Sequence, residues 1–406
     1  MTQEKALEIL RTGKNVFLTG EPGAGKTYTI NQFTGWLDAA GLSYAVTAST
    51  GIAASHIDGA TIHSWSGIGI MKELEKEDID GIRFHKYHYQ RIIQARVLIL
   101  DEVSMLEATF VTDLDKVLKA IHKNEKPFGG IQIVMVGDFF QLPPVSRDRQ
   151  AKFAFESPAW DAAELQICYL TEQHRQAEPV FTDLLRAIRF GQATDQHKQI
   201  LQGRLGAGNS PVNLYTHNVD VDIQNHKKLD ELPGDIKTYK MGESGHPVPV
   251  ATLKRNCLSP EILHLKKDAV VMFTSNNPKL GYVNGTIGVV VDFNQDGPVI
   301  KKLEGGTVYP ERSQWKSVNE RKETVATITQ FPLRLAWAIT VHKSQGMSLD
   351  SAQINLSKAF EFGHGYVAIS RVRSLEGLHL TGISDAAYEV NPKVLEQDKI
   401  FREKGV

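Results

Sequence analysis

The octapeptide GEPGAGKT at residues 20–27 follows the apolar run NVFLTG and precedes a helical pattern. Gly20, Gly23 and Gly25, with Ala24 between them, let backbone N–H groups converge on one anion, and a helix N-terminus adds a field that favours negative charge. Lys26 then neutralises the β- and γ-phosphates of a nucleotide, the Thr27 hydroxyl sits on Mg2+, and Tyr28 completes the nucleotide-side set. A chance glycine-rich turn is the competing reading. The strand–loop–helix order counts against it.

Two further apolar runs end in polar residues. In VLILDEVSM, Asp101 closes a buried run where a carboxylate is costly unless it holds a cation, so it joins Thr27 as a Mg2+ ligand. Glu102 is the group to orient or deprotonate an attacking water. The tandem acid points to ATP rather than GTP, and no NKxD guanine-reading motif occurs. In VMVGDFFQLPPV, Gln141 cannot ionise, which suits a γ-phosphate sensor better than an acid or base, and the prolines after it stiffen the loop. Each of these alone could be an ordinary polar strand end. Three in one sheet favour a ligand, because open α/β sheets bind ligands beyond the carboxyl ends of their strands.

Holding three strand ends together needs a parallel sheet. The runs NVFLTG, RVLILDE and QIVMVGDF alternate with helical patterns such as TYTINQFTGWLDAAG and TFVTDLDKVLKAIHKN, which predicts such a sheet covered on both faces. A break near Leu170 starts a second α/β region with VFTDLLRAIRFG and VNLYTH. Between 276 and 330 the texture changes to GTIGVVVDF, PVIKKLEG, GTVYPERSQW and TVATITQFP, short strands between turns. The expected fold class is α/β: a first domain over 1–170, a second over 171–275 plus 331–406, and a small β-barrel over 276–330 inserted in the second.

The length of 406 residues accommodates this division. A net charge of −1 means that any grip on a polyanion must come from a local groove rather than a global field. Cys168 and Cys257 fit neither a disulfide framework nor a cysteine metal site, which suits a reducing cytoplasm. MTQEKALEIL lacks the pattern of a signal peptide and no run is long enough to span a bilayer, so a soluble cytoplasmic protein is expected.

Seven motifs in order make the chain resemble superfamily 1B DNA helicases, specifically the PIF-type branch, with RecD-type enzymes as cousins. They are GEPGAGKT, TASTGIAASHIDGATIHSW, LDEVSML, PFGGIQIVMVGDFFQLPPV, LTEQHRQ, AWAITVHKSQGMSLD and YVAISRVRSLEGL. The resemblance implies two RecA-like domains with ATP in the cleft between them. Arg175 and Arg371 then reach the γ-phosphate from the second domain, where an arginine stabilises charge on the transferred group; Arg373 is the nearby competitor. Gln3 lies at the matching distance to read the adenine. Gln345 and Gly346 would face the phosphates.

On the DNA side, the resemblance assigns Thr340, His342, Lys343 and Ser344 to single-stranded DNA on the second domain. On the first it assigns Ser49, Thr50, His63, Ser64 and Pro143, with Trp65 and Phe140 as stacking platforms. Taken singly, an aromatic or a strand-end histidine is as readily core, and His85 and His88 lack a third metal ligand. Residues 66–92 would form a wedge and 276–330 an accessory domain, with VNG at 283–285 fitting the pattern. The implied activity is ATP-dependent, 5′-to-3′ DNA unwinding by a monomer, with single-stranded DNA, strand junctions and replication or repair proteins as partners. A non-translocating DNA-sensing ATPase and a motor subunit of a nuclease complex are the competing classes.

Overall fold

The computed structural model describes residues 1–50, 53–54, 60–69, 71–144, 152–172, 178–206, 208, 210, 212–282, 284–303, 305–318, 324–345 and 349–405. Arg175, Gly346 and Val283 lie outside them. Among the described residues no helix is long and apolar enough to cross a membrane.

The first sheet contains β1 (Val16–Gly20), β2 (Tyr44–Ala48), β3 (Ala60–Thr61), β4 (Val97–Asp101), β5 (Gln132–Val136) and β6 (Gln166–Leu170). Its order is β3-β2-β4-β5-β1-β6 and every pairing is parallel. Alternation along β1 sends Phe17 into one core and Val16 and Leu18 into another, so both faces are covered. On the second face lie Leu10 of the helix Gln3–Arg11 and Phe33 and Leu37 of the helix Lys26–Ala39. Because β4, β5 and β1 are neighbours, the loops after them open side by side.

The second parallel sheet is assembled from distant pieces. β7 (Asn213–Tyr215) comes first. Then follow β8 (Lys237–Lys240), β9 (Gly242–Gly245), β10 (Ile262–Leu265), β11 (Val270–Phe273), β12 (Ile287–Phe293), β13 (Pro298–Lys302), β14 (Thr307–Val308), β15 (Ser313–Val318), β16 (Thr324–Gln330) and β17 (Leu333–Leu335). β18 (Ala338–Thr340), β19 (Ala352–Leu356) and β20 (Leu378–Ile383) then join β7 in the order β18-β7-β19-β20, all parallel.

The intervening strands form antiparallel sheets ordered β14-β13-β12-β11-β17, β15-β16-β9 and β10-β8. This region is wider than residues 276–330, since β11 and β17 pair with each other inside the same sheet. The run VVMF is apolar throughout, and an apolar run carries no mark of which sheet it will join.

The chain end also departs from the expected division. The helix Pro392–Lys404 packs on β6 of the first sheet, and its Phe401 ring lies 5.0 Å from that of Phe17. Two short helices, Lys76–Phe84 and Lys86–Gln94, occupy most of the expected wedge and rest on the helix Ala108–His122. Phe84 at the end of the first is 75% exposed.

Candidate functional site

The turn after β1 is shaped by left-handed backbone at Gly23 and Gly25, with φ of 87° and 86°. A side chain at 25 would be strained there and would also run into the Gln3 amide, which lies over the loop and donates from Nε2 to Ala24 O at 3.2 Å. Ala24 is buried, whereas Thr27 and Tyr28 stand exposed on the first turn of the helix. Lys26 Nζ donates to Gly20 O at 2.8 Å and Glu21 O at 3.3 Å, so the ammonium is coiled into its own loop. Burial lowers its pKa, and the carboxylates of Asp138 and Glu102 pull against that.

At the end of β4, Glu102 adopts φ 53°, ψ 45°, a left-handed conformation unusual for a glutamate, and its N–H donates to Asp101 Oδ1 at 2.9 Å. Burial raises the pKa of both acids. Glu102 is pushed up to about 7, first by desolvation and then by the charge of Asp101. Gln141 follows β5 and is 6% exposed.

The two parallel-sheet units meet over these groups. Gln345 Nε2 donates to Glu102 Oε2 at 3.1 Å and to Gln141 Oε1 at 3.3 Å, joining residues more than two hundred positions apart. Arg371 is 2% exposed. It donates from Nε to Val367 O at 2.9 Å, from Nη2 to Ser370 Oγ at 2.8 Å and from Nη1 to Ser344 O at 3.4 Å, and its charge favours ionised Glu102. Arg373 instead reaches Asp350 at 2.7 Å on the surface. Of the two arginines, Arg371 is the one buried beside these groups.

The DNA-side residues divide into outward-facing and inward-facing groups. Ser64 is exposed on the helix Ile62–Ser66, and His63 beside it packs on Phe110 with ring centroids 4.3 Å apart. Burial lowers the His63 pKa. Thr50 Oγ1 accepts from Ala53 N–H at 3.2 Å; Ser49 is buried, and its Oγ has no hydrogen-bond partner among the described residues. Pro143, His342 and Lys343 are half-buried, and burial lowers the Lys343 pKa.

Four expectations need correction. Trp65 and Phe140 are 8% and 5% exposed and belong to the core, so neither ring presents a stacking face. Thr340 is buried and accepts Lys343 N–H at 3.3 Å, while the Ser344 hydroxyl, fully buried, donates to Val341 O at 2.8 Å. Those two hydroxyls stabilise the turn His342–Ser344 rather than facing outward. A sequence motif names the polar residues of a turn but does not say which of them close it.

Several residues beside the site were given no role by the sequence, even where, as for Asp138, they lie inside a recognised motif. Asp138, fully buried three residues before Gln141, accepts from Arg189 Nη2 at 2.9 Å and from Tyr366 OH at 3.2 Å. Arg186 pairs with Glu21 of the phosphate loop at 3.1 Å. Behind His342, Glu361 Oε2 lies 3.4 Å from His342 Nε2 and 3.8 Å from His364 Nε2. These three residues offer ligand atoms within 4.8 Å of one another, the spacing of a metal site. The tautomer argues otherwise. Nδ1 of buried His364 faces the N–H groups of Phe360 and Glu361 at 3.5 and 3.4 Å, which places the imidazole proton on Nε2, the atom a metal would need. The cluster is better described as a carboxylate between two imidazoles. His85 and His88 form no such group with a third ligand among the described residues.

Comparisons with known proteins identify the family. The PIF1-like helicase family profile matches residues 3–199. The chain is 41% identical over 99% of its length to the ATP-dependent DNA helicase Pif1 of Psychrobacter sp., of which it spans 71%. With the Bdellovibrio bacteriovorus protein of the same name it shares 34% identity, covering 98% of this chain and 91% of that one. It spans 62% of the longer human ATP-dependent DNA helicase PIF1, at 37% identity. Among solved structures, Pif1 helicase from Candida albicans superposes with a TM-score of 0.86 at 34% identity, covering 98% of both chains. Bacteroides sp. Pif1 in complex with ADP-AlF4 gives 0.84 at 29% identity, covering 99% of this chain and 97% of that one. With its seven motifs, two parallel sheets and a Lys26–Glu102–Gln141–Gln345 cleft, the chain belongs to the PIF1-like helicase family.

Proposed function

We infer that the chain is an ATP-dependent DNA helicase that hydrolyses ATP in the cleft over Lys26 and moves 5′-to-3′ along single-stranded DNA. One observation carries the reading. Gln345, which directly follows the turn that holds His342 and Lys343, hydrogen-bonds both Glu102 and Gln141, so the DNA side and the hydrolytic side share a residue. Relatives from Bacteroides have been solved with single-stranded DNA and with ADP-AlF3 plus single-stranded DNA, in line with both ligands.

In this reading Lys26 exchanges its loop carbonyls for phosphate oxygens, and the Gln3 amide over Gly25 meets the base. Thr27 and Asp101 would hold Mg2+, which draws charge off the phosphate oxygens when bound; burial raises the pKa of Asp101, and a cation beside it would hold the carboxylate ionised. Glu102 takes the proton of a water as its oxygen bonds to the γ-phosphorus and the bond to the β-phosphate oxygen breaks. A pKa near 7 suits a base at neutral pH. Gln141 registers the γ-phosphate, and Arg371 with Arg175 balances its charge from the second domain. Ser49, Thr50, His63, Ser64, Pro143, His342 and Lys343 position the strand, and the exposed Phe84 of the wedge meets the duplex junction.

ATP turnover with and without single-stranded DNA, followed by strand displacement on 5′-tailed and 3′-tailed duplexes, tests the reading. Strong stimulation with unwinding from the 5′ tail alone is expected. Stimulation without displacement from either tail would make the chain a DNA-sensing clamp, and unwinding from the 3′ tail would overturn the polarity.

A further inference from the structure

A fully buried carboxylate and guanidinium lie beside the cleft without touching its reacting atoms. Asp138 and Arg189 are 0% and 1% exposed and 2.9 Å apart. Asp138 is satisfied from three directions: Phe140 N–H at 3.2 Å, Arg189 Nη2, and Tyr366 OH at 3.2 Å. Arg189 also donates to Tyr169 OH at 2.9 Å and lies 4.1 Å from the centre of the Phe140 ring. Its Nε has no hydrogen-bond partner among the described residues. A buried ion pair is a weak source of net stability compared with apolar residues of similar volume, and an unsatisfied buried donor adds a cost. Stability alone therefore gives a poor account of this pair.

Its connections give a better one. Asp138 begins the turn that carries Gln141, whose N–H donates to Asp138 O at 2.9 Å. Arg189 ends the helix Pro179–Arg189, and Arg186 in the same helix grips Glu21 of the phosphate loop at 3.1 Å. Tyr366 lies in the helix His364–Ile369, five residues before Arg371. That helix starts at Gly363, where a Cβ would come within 2.7 Å of the carbonyl oxygens of both Phe140 and Gln141. The phosphate loop, the Gln141 turn and the Arg371 helix are thus fastened to one strut.

We propose that Arg189 is a positioning residue for ATP hydrolysis: through Asp138 and Tyr366 it holds the Gln141 turn against the helix leading to Arg371, so that γ-phosphate sensing and the second-domain arginine move as one unit. This rests on the hydrolytic roles proposed above for Lys26, Gln141 and Arg371.

The test uses the whole chain carrying Tyr366→Phe or Arg189→Lys, with Lys26→Ala as a control. Readouts are melting temperature, kcat and KM for ATP, and single-stranded DNA affinity without nucleotide and with ADP-AlF4. The expected result is a KM within about twofold of the parent and a kcat lower by on the order of 10–100-fold. The nucleotide-dependent difference in DNA affinity should also collapse. A fall in melting temperature with kcat and that difference intact would reduce the pair to scaffolding and overturn the proposal. Tyr366→Phe removes one hydroxyl and leaves the ion pair in place, so it decides the matter even if Arg189→Lys fails to fold. ATP turnover surviving in Lys26→Ala would instead refute the hydrolytic reading itself.

Discussion

Glu102, the base proposed above, shows how such a role is opposed to stability. Its left-handed backbone and its place beside Asp101 are both unfavourable, and desolvation pushes its carboxyl from 4.5 to about 7. The folded state thus binds that proton more tightly than the unfolded one, so stability is lost as pH rises from the ordinary carboxylate range through about 7. Glu102→Gln should therefore abolish hydrolysis yet raise the free energy of unfolding, read from urea titrations at pH 8 in metal-free, nucleotide-free buffer, by on the order of 3 kcal/mol. Little change should appear at pH 4. Equal effects at both pH values would assign the gain to something other than this proton. Arg371 offers a second comparison. Arg371→Ala should leave the KM for ATP within about twofold and lower kcat by on the order of 10³-fold. Arg373→Ala, which cuts only a surface pair, should leave kcat near the parent value; the reverse pattern would exchange the two roles.

Among the elements, the turn His342–Ser344 shows how a short segment can be fixed from behind. Thr340 and Ser344 close it internally, and Glu361 Oε2 lies near Nε2 of both His342 and His364. In the proposed reading, a carboxylate at that place orients the His342 ring and so sets where its other nitrogen would meet a phosphate. Glu361→Gln should weaken single-stranded DNA binding by about tenfold, the loss of the carboxylate charge beside the His342 imidazole. Combined with His342→Gln it should add little more, because both changes break the same contact. Full additivity in fluorescence anisotropy titrations would show that the two residues act separately.

Across the whole molecule, the chain end returns to where the chain began. The helix Pro392–Lys404 packs on β6, Tyr169 OH donates to Asp398 Oδ1 at 3.0 Å, and the Met1 amine donates to Tyr169 O at 2.7 Å. Phe401 completes an aromatic cluster with Phe17, Phe139, Phe155 and Trp160 under the first sheet. Phe401→Ala should cost about 3–5 kcal/mol, since a buried ring leaves a cavity that its neighbours fill only in part. Urea unfolding followed by tryptophan fluorescence would register it, because Trp160 lies 6.1 Å from that ring. A cost below about 1 kcal/mol would mean that the helix is a loosely held tail.

The placement of Lys26, Thr27, Asp101, Glu102 and Gln141 at or just beyond neighbouring strand ends was legible in the sequence, because each depends on a short local pattern, a strand followed by a turn, that dictates its own geometry. The parallel sheets were legible for the same reason, through apolar runs alternating with helical spacing. The Asp138–Tyr366 bond, 228 positions apart, and the return of the last helix to the first sheet were not. Burial was equally hidden: nothing in TIHSW or GDFFQ distinguishes a ring that will stack on a base from one that will fill a core. Local pattern fixes what a residue can do chemically. Which residues become neighbours, and which are sealed from solvent, depends on how the sheets pack, and only the folded chain decides that.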